Sequence, residues 1–383
     1  MKNLAFIGVG NRAGKYLSCL PEDACAAFLV DPDPVRLTQA ARKYHVPEDA
    51  CFQDADSFFA GHRAVDGVVV TTPDRLHYAH ALAAVRAGYP VLLEKPAATS
   101  PEEFDRLLEA SQRSGVPVSV CLVMRYHPFF RRIREIVESG EIGRIVSIEH
   151  TEFIGPDRMG HTFVRGLWSR KDSSAPIFLS KCSHDADFLL WVTGGKAVEV
   201  TSEGGLTQFR PEAAPKGAAL RCVDCSLACP YSAVSLYRDR REWVAGFDVP
   251  AGKTLEEVIE KELESGRYGR CVYHCDNDVN DRQEVWVRLD NGIRLHLCLD
   301  GVSLEEGRRI RICGTEGTLS VTGSSIFVGG REENYSAWRD LPLHAGADRL
   351  LVEDFMDSLR TGKPTMAPLS STREAHRICF LSE

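Results

Sequence analysis

The chain has 383 residues, a formal net charge of −8 and a hydrophobic share of 44%, which predict an ordinary globular protein of about two domains. The negative charge disfavours nucleic acid and anionic membranes as main partners. The sequence has no apolar stretch of about 18 residues, and its N-terminal apolar run is too short for a signal peptide. We therefore expect a cytoplasmic enzyme or binding protein.

Short apolar strands alternate with helices over the first third of the chain. The predicted strands are 4–7, 26–30, 67–70, 90–93 and 116–123, and the predicted helices are 11–20, 34–44, 76–87 and 101–114. Apolar strands of this kind are typical of a doubly wound parallel sheet, because helices cover both of its faces. We predict an α/β Rossmann domain over residues 1–124.

After residue 124 the helices become fewer. The predicted helices are 129–138, 184–192 and 347–360, and the predicted strands are 145–154, 198–206, 284–289, 293–299, 309–312 and 318–321. The run Asp290-Asn291-Gly292 indicates a hairpin between two of these strands. Residues 125–383 therefore predict an α+β domain with a mostly antiparallel sheet. Residues 209–253 fit no regular period, so we interpret about 207–282 as an insertion.

A glycine turn follows the first strand. Gly8-Val9-Gly10-Asn11-Arg12-Ala13 fits G-x-G-x-x-G/A between a strand and a helix, where backbone amides and the helix N-terminus favour a pyrophosphate. Asp31 ends the second strand, where a carboxylate accepts ribose hydroxyls and repels a 2′-phosphate. The pair predicts NAD rather than NADP. The alternative is that Asp31 caps the next helix, although Asp33 is better placed for that.

A second motif, Glu94-Lys95-Pro96, follows the apolar strand 90–93. Ligands of open parallel sheets bind beyond the carboxyl ends of the strands, so this position directs Lys95 to the cofactor crevice. The alternative is an ordinary surface lysine.

These motifs together resemble the glucose–fructose oxidoreductase, inositol dehydrogenase and MocA-like family. The resemblance is carried by the glycine turn, by Thr72-Pro73 with His77, by Glu94-Lys95-Pro96 and by the run Ser183-His184-Asp185-Ala186-Asp187. It implies a Rossmann domain, a second domain that binds substrate and mediates homo-oligomers (dimers or tetramers), and hydride transfer between NAD(P) and a sugar-like alcohol.

By this resemblance Lys95 is the catalytic lysine and His184 the general acid/base, with Asp187 one helical turn away. The residues expected to contact the dinucleotide are Gly8, Gly10, Asn11, Arg12, Ala13, Asp31, Thr72, Pro73, His77, Glu94 and Lys95. Family members commonly carry an aspartate four residues before the histidine, and this chain has Ser180 there. Lys181 as a second cation, an acidic substrate or a different chemistry would each account for that departure.

Several polar or aromatic residues are candidates for substrate contact, with packing or surface roles as the alternative. They are Arg125, Tyr126, Arg165, Trp168, Lys181 and Asp187.

The insertion contains Cys222-Val-Asp-Cys225-Ser-Leu-Ala-Cys229-Pro230. Two thiolates at C-x-x-C spacing reach one tetrahedral ion, and Cys229 offers a third ligand. The fourth is sought among Cys271, His274 and Cys275, with Cys275 adopted as the candidate. The cluster predicts structural zinc, with an iron–sulfur centre and free thiols as the alternatives.

The sequence thus predicts an NAD-dependent oxidoreductase of a sugar, polyol or related cyclic alcohol, with the substrate between its domains. A second hypothesis uses tightly bound NAD transiently, for epimerisation, elimination or glycoside cleavage. A third is a non-catalytic NAD or sugar sensor.

Overall fold

The computed structural model describes residues 1–61, 63–244, 247, 249–250, 252–339 and 341–383. Contacts divide the chain into two compact units. The first comprises Met1–Gly140, Ala186–Val192 and Asn334–Phe380, and the second comprises Glu141–Asp185, Thr193–Glu333 and Leu381–Glu383. The domain boundary predicted after residue 124 remains a prediction. Each compact unit is instead assembled from three segments of the chain.

The strands form two sheets. In chain order they are β1 Lys2–Ile7, β2 Ala24–Val30, β3 Cys51–Phe52, β4 Gly67–Val70, β5 Val91–Leu93, β6 Val118–Val120, β7 Ile145–Phe153, β8 Ala197–Gly205, β9 Arg282–Leu289, β10 Arg294–Asp300, β11 Gly307–Gly314, β12 Thr318–Thr322, β13 Ser325–Val328 and β14 Arg331–Asn334.

The helices connect and cover these strands. They are α1 Asn11–Leu17, α2 Pro34–Tyr44, α3 Ala55–Ala60, α4 Asp74–Arg86, α5 Pro101–Ser114, α6 Pro128–Glu138, α7 Pro156–Arg158, α8 Ile177–Thr193, α9 Ala233–Asp239, α10 Leu255–Glu264, α11 Ser336–Arg339, α12 Pro342–Ala345, α13 Ala347–Thr361 and α14 Arg373–Leu381. None of the helices in the described residues is long and apolar enough to span a membrane.

The first unit is built on a six-stranded sheet with the order β3-β2-β1-β4-β5-β6, in which every neighbouring pair is parallel. This confirms the predicted Rossmann sheet. The strand order reverses between β1 and β4, which is the switch point where such sheets bind ligands.

The second unit is built on an eight-stranded sheet with the order β14-β13-β12-β11-β7-β10-β9-β8. In the neighbouring pairs whose register is described, the strands are antiparallel except for β7 and β10, which run parallel. The predicted hairpin joins β9 and β10, where Gly292 has φ of +84°. The predicted α+β character is confirmed.

Residues 209–253, which show no regular period in the sequence, and the residues that follow them contain short helices. Ser232 caps the seven-residue helix α9, and Thr254 forms a capping box with Glu257 at the start of α10. The two helices bury an apolar cluster of their own, which includes Leu236, Tyr237, Ile259 and Leu263. Helices this short carry too few turns for a helical period to be recognised.

Helix α8 begins at Ile177 rather than at the predicted His184. Ile177, Phe178 and Leu179 are each at most 1% exposed. Because these residues are consecutive and all buried, they show no amphipathic period, and the pattern was not recognised as helical.

Candidate active site

The glycine turn closes against the strand that lies beside it. Gly8 has φ of +86°, and a Cβ there would lie 3.0 Å from the backbone carbon of Thr71. The Thr71 hydroxyl donates to the carbonyl of Gly8 at 2.6 Å. In the part of the chain that the structure describes, no atom lies within 4 Å of a Cβ built at Gly10, so the backbone there can be approached closely by a ligand. Ala13 is fully buried, which permits the tight packing of α1 on the sheet.

Asp31 lies at the end of β2 and is 3% exposed. Its Oδ2 accepts from the Val9 amide at 2.9 Å, and its Oδ1 accepts from the Asp33 amide at 3.0 Å. Arg36 Nη1 pairs with Asp31 Oδ1 at 3.1 Å. Asp33 caps α2 by accepting from Val35 and Arg36, so the capping role belongs to Asp33 and leaves Asp31 at the turn.

Arg12 forms ion pairs within the first unit. Its guanidinium pairs with Glu94 and, at 2.8 Å, with Asp348 of α13, and it lies 4.6 Å from the centroid of the Tyr16 ring. Tyr16 also donates to Glu94 at 2.6 Å. The side chains of Arg12 and Glu94 therefore join α1, the loop after β5 and α13, whereas we had expected both to contact the dinucleotide.

The loop that carries Lys95 is held by two histidines. His77 is 1% exposed, and its ring nitrogens lie 2.7 Å from the carbonyls of Thr72 and Pro96. His376 accepts from the Ala97 amide through Nε2 at 3.0 Å, and its Nδ1 lies 2.9 Å from the Thr372 carbonyl. Both histidines thus fix the backbone around Lys95, which is itself partly exposed.

The pKa values of the titratable groups around this loop are shifted by burial and by neighbouring groups. Burial acts to raise the pKa of Glu94, but the charge of Arg12, hydrogen bonds from Tyr16 and Arg12, and the Lys95 ammonium hold that pKa below its usual range. Burial, with a smaller contribution from Lys95, lowers the pKa of His376 to about 4. Lys95 is therefore flanked by a buried anion and a neutral imidazole.

The remaining residues expected to bind the cofactor lie at the same edge of the sheet. Thr72 is half-buried and follows β4, while Asn11 and Pro73 are exposed. Gly8, Asp31, Thr72 and Lys95 all follow the carboxyl ends of parallel strands. The structure therefore brings the two motifs and Asp31 to one edge.

In the second unit, α8 carries the half-buried His184 above a buried charge network. Lys181 Nζ pairs with Glu152 Oε1 at 2.5 Å. Arg308 Nε lies 3.0 Å from Glu152 Oε2 and 2.6 Å from Asp185 Oδ1. Lys181 is thus paired with Glu152, a carboxylate from β7 that the sequence analysis missed because it lies about 30 residues away in the chain.

His150 completes the network, with Nε2 at 2.8 Å from Asp185 Oδ1. Burial acts to raise the pKa of Asp185, but Arg308 and His150 hold it far below its usual range. His150, Glu152 and Asp185 have ligand atoms within 4.8 Å of one another. Two carboxylates facing Lys181 and Arg308 are already charge-balanced, so we interpret this group as an ion-pair network rather than a metal site.

Three of the residues expected to contact substrate use their charges internally. Arg125 and Asp187 form a buried pair, with Nη2 and Oδ1 at 2.6 Å. Arg165 is fully buried, and donates to the carbonyls of Arg270 and Tyr231 at 2.7 and 2.6 Å. Asp187 is also 2% exposed, so it does not share the partly exposed environment of His184.

Of the others, Tyr126 donates to Asp354 at 2.7 Å and is 3% exposed. Trp168 is half-buried. A contact of these two residues with substrate stays a prediction.

The cysteines of the insertion meet at a cavity of about 190 Å³ lined by Cys222, Cys225, Cys229 and Cys271. Cys275, the candidate fourth ligand, does not line it, and its thiol donates to the carbonyl of Cys271 at 3.2 Å. The fourth thiol at the cavity is therefore Cys271.

Tyr16, Glu152, Asp348 and His376 support these sites but were not predicted. Each acts through a partner remote in sequence, so no local motif marks it.

Comparison with family models identifies both parts of the chain. Residues 2–122 match the model described as "Oxidoreductase family, NAD-binding Rossmann fold". Residues 130–320 match the C-terminal domain of the Gfo/Idh/MocA family.

Two relatives have similar sequences. YteT of Bacillus subtilis, named as an oxidoreductase, is 27% identical over 334 residues, which cover 83% of this chain and 76% of YteT. Inositol 2-dehydrogenase 2 of Saccharopolyspora erythraea is 30% identical over 209 residues. That match spans 52% of this chain and just over half, 56%, of the dehydrogenase.

Solved structures share the fold. An oxidoreductase from Agrobacterium radiobacter, in complex with NAD+, L-tartaric acid and magnesium, has a TM-score of 0.71 at 16% identity, covering 100% of this chain and 96% of its own. The WlbA dehydrogenase of Bordetella pertussis, with NADH and UDP-GlcNAcA, has a TM-score of 0.68 at 17% identity, with 100% and 96% covered. The glycine turn, the two sheets and both family models agree: the chain belongs to the Gfo/Idh/MocA family of NAD-binding oxidoreductases.

Proposed function

We propose that this protein transfers hydride between NAD and a secondary alcohol of a sugar, polyol or related cyclic alcohol. The observation that carries the proposal is the position of Lys95 at the ligand-binding edge of the Rossmann sheet, where His77 and His376 hold its loop. The relatives named for inositol oxidation support this class of substrate.

The residues at this edge fit a dinucleotide. Gly8 has a positive φ and closes the turn, and among the described residues no side chain occupies the space at Gly10 or caps the start of α1. These features suit a pyrophosphate. Asp31 is placed to accept the ribose hydroxyls, which favours NAD over NADP. The bound nicotinamide would supply the hydride acceptor.

Lys95 and His184 would assist the removal of the proton from the alcohol hydroxyl. The ammonium of Lys95 stabilises the negative charge that develops on the alcohol oxygen as hydride leaves carbon. His184 accepts the hydroxyl proton, a task for which imidazole is well matched near neutral pH. The charge of Lys181 is balanced by its ion pair with Glu152. This pair helps to hold α8, the helix that carries His184, against β7.

Lys95→Ala tests this assignment. We expect the variant to lose at least about 100-fold in turnover, since one group that stabilises the developing charge contributes 10²–10⁴-fold, while NAD binding changes little. The measurements are NADH formation over a panel of sugars and polyols, and NAD titration by calorimetry. Lys363→Ala, at an exposed position of the same unit, is the control. Unchanged turnover in Lys95→Ala would contradict the catalytic role.

The same panel separates net from transient oxidation. Stoichiometric NADH formation with a sugar supports the proposal. Product formed with bound NAD but without net NADH would instead indicate epimerisation, elimination or glycoside cleavage. NAD and sugar binding with no product would indicate a sensor.

A further inference from the structure

The cysteine cavity of the second unit is assembled from two distant segments. Cys222, Cys225 and Cys229 come from one segment and Cys271 from the other, and all four line the same cavity of about 190 Å³. The Cys271 amide donates to the Leu220 carbonyl at 2.9 Å, and Arg221 forms a β-bridge with Arg270. Backbone pairing next to the thiols therefore sets the distance between the two segments.

A buried arginine lines the same cavity. Arg165 is 0% exposed, and its Nη2 lies 3.6 Å from the sulfur of Cys222. Its Nη1 is buried and has no hydrogen-bond partner among the described residues. Its Nε donates to the Arg270 carbonyl, and its Nη2 donates to the Tyr231 carbonyl and to this sulfur. A fully buried guanidinium requires compensating negative charge.

Neutral thiols would leave that charge uncompensated, whereas metal-bound thiolates would not. Four thiolates around a zinc ion carry a net charge of about −2, and an iron–sulfur cluster held by four thiolates is likewise anionic. The insertion has its own apolar cluster, so we expect the metal to order the cavity rather than to fold the whole segment.

We propose that Cys222, Cys225, Cys229 and Cys271 bind a thiophilic metal centre, with Arg165 balancing its charge. The thiols lose their protons to solvent on binding. Cys275 is not a ligand, because its sulfur bonds to a backbone carbonyl outside the cavity lining.

The occupant is either one zinc ion or an iron–sulfur cluster. In the described chain, no three cysteine sulfurs lie within 4.8 Å of one another, while one tetrahedral zinc requires separations of about 3.8 Å. Zinc therefore requires the thiols to rotate inward. A four-iron cluster holds its thiolates farther apart than zinc does, because each thiolate binds a different iron.

Metal analysis of the full-length protein, purified without oxygen, tests the proposal. We expect about one zinc per chain, or about four irons with equal acid-labile sulfide. Protein stripped by a chelator is then incubated with zinc alone, or with ferric iron, a thiol reductant and sulfide. Zinc should raise Tm without visible absorbance, whereas a cluster should also restore a broad band near the violet.

Cysteine variants test the choice of ligands. Cys225→Ser and Cys271→Ser should lose most of the metal, whereas Cys275→Ser should retain it. A thermal shift with NAD reports whether the first unit of each variant is folded. If a variant is insoluble, reconstitution of the wild-type protein still decides whether metal binds.

Two results would overturn the proposal. Wild-type protein that contains neither metal and takes up neither would exclude a metal centre at the cavity. Loss of metal from Cys275→Ser, with retention in Cys271→Ser, would exclude the proposed ligand set.

Discussion

Asp31 connects the glycine turn to Arg36, a cation of the kind that can bind a phosphate. Its carboxylate accepts from the Val9 amide and pairs with Arg36 Nη1 at 3.1 Å. We expect the carboxylate to repel a 2′-phosphate and, by pairing with Arg36, to make that arginine less available to bind one.

Asp31→Ser should shift cofactor preference toward NADP. It removes a charged hydrogen-bond acceptor, worth about 1.5–3 kcal/mol, and releases Arg36. We expect kcat/KM for NAD to fall about tenfold or more and kcat/KM for NADP to rise. Asp33→Ser is the matched control, because it removes a neighbouring carboxylate while serine still caps α2, and Asp33 is not expected to bind the ribose. An unchanged NADP/NAD ratio in Asp31→Ser would count against this role.

His376, which accepts a hydrogen bond from the loop of Lys95, makes the stability of the protein depend on pH in the acidic range. Its folded pKa is lowered to about 4, against about 6.5 in an unfolded chain. Between these values the unfolded state binds more protons, so stability is complete above pH 6.5 and decreases as pH falls toward 4.

The free energy of unfolding of the wild-type protein, measured in urea, should therefore decrease by about 1.4 kcal/mol for each unit that the pH falls from 6.5 to 4, because of this one group. His161 has a similarly lowered pKa of about 4 and contributes in the same direction. The comparison is thus wild type against His376→Asn, whose stability should depend less steeply on pH. Equal slopes would show that His376 is not the titrating group.

Strand β11 carries two consecutive arginines in opposite environments. Arg308 pairs with Glu152 and Asp185, which are 3% and 1% exposed, whereas Arg309 pairs with Glu305 where both side chains are more than half exposed. Successive side chains of a strand point to opposite faces, so one arginine lies under α8 and the other in solvent.

Arg308→Gln should destabilise the protein by about 3 kcal/mol or more, because two buried carboxylates lose a partner. Arg309→Gln should change the free energy of unfolding by less than about 1 kcal/mol, since exposed pairs contribute little. Chemical denaturation of the two variants gives the comparison. Similar losses in both would indicate that the network below His184 is not energetically important.

The first unit closes with a helix from the far end of the chain. Helix α13 buries Leu351, Val352, Phe355 and Met356 in the same core as Leu4 and Phe6 of β1. Asp348 of this helix also pairs with Arg12 of the glycine turn.

A fragment of residues 1–124, the domain predicted from sequence, should therefore not fold stably. It lacks apolar side chains that each contribute about 1.5–3 kcal/mol when buried, while a domain is stable by only about 5–15 kcal/mol. Circular dichroism and urea unfolding of the fragment, compared with the full-length chain, measure this. A soluble fragment with a cooperative transition close to that of the full chain would refute the prediction.

The local sequence pattern was sufficient to predict the parallel sheet and to place the glycine turn, Asp31 and the loop of Lys95 at the ends of its strands. These features depend on residues close together in sequence, and alternating strands and helices place every strand end at one edge. It was also sufficient for the second, mostly antiparallel sheet, where hairpin chemistry is local.

Long-range packing determined the partners of the charged residues. Arg12, Arg125 and Arg165 were expected at the cofactor or substrate, yet each is bonded to groups that are remote in the chain. Whether an arginine faces a ligand or a buried carboxylate depends on the free energy of desolvation, which is known only when its surroundings are. For the same reason the choice of Cys271 over Cys275 at the metal cavity required the folded structure, since both stand at acceptable spacing in the sequence.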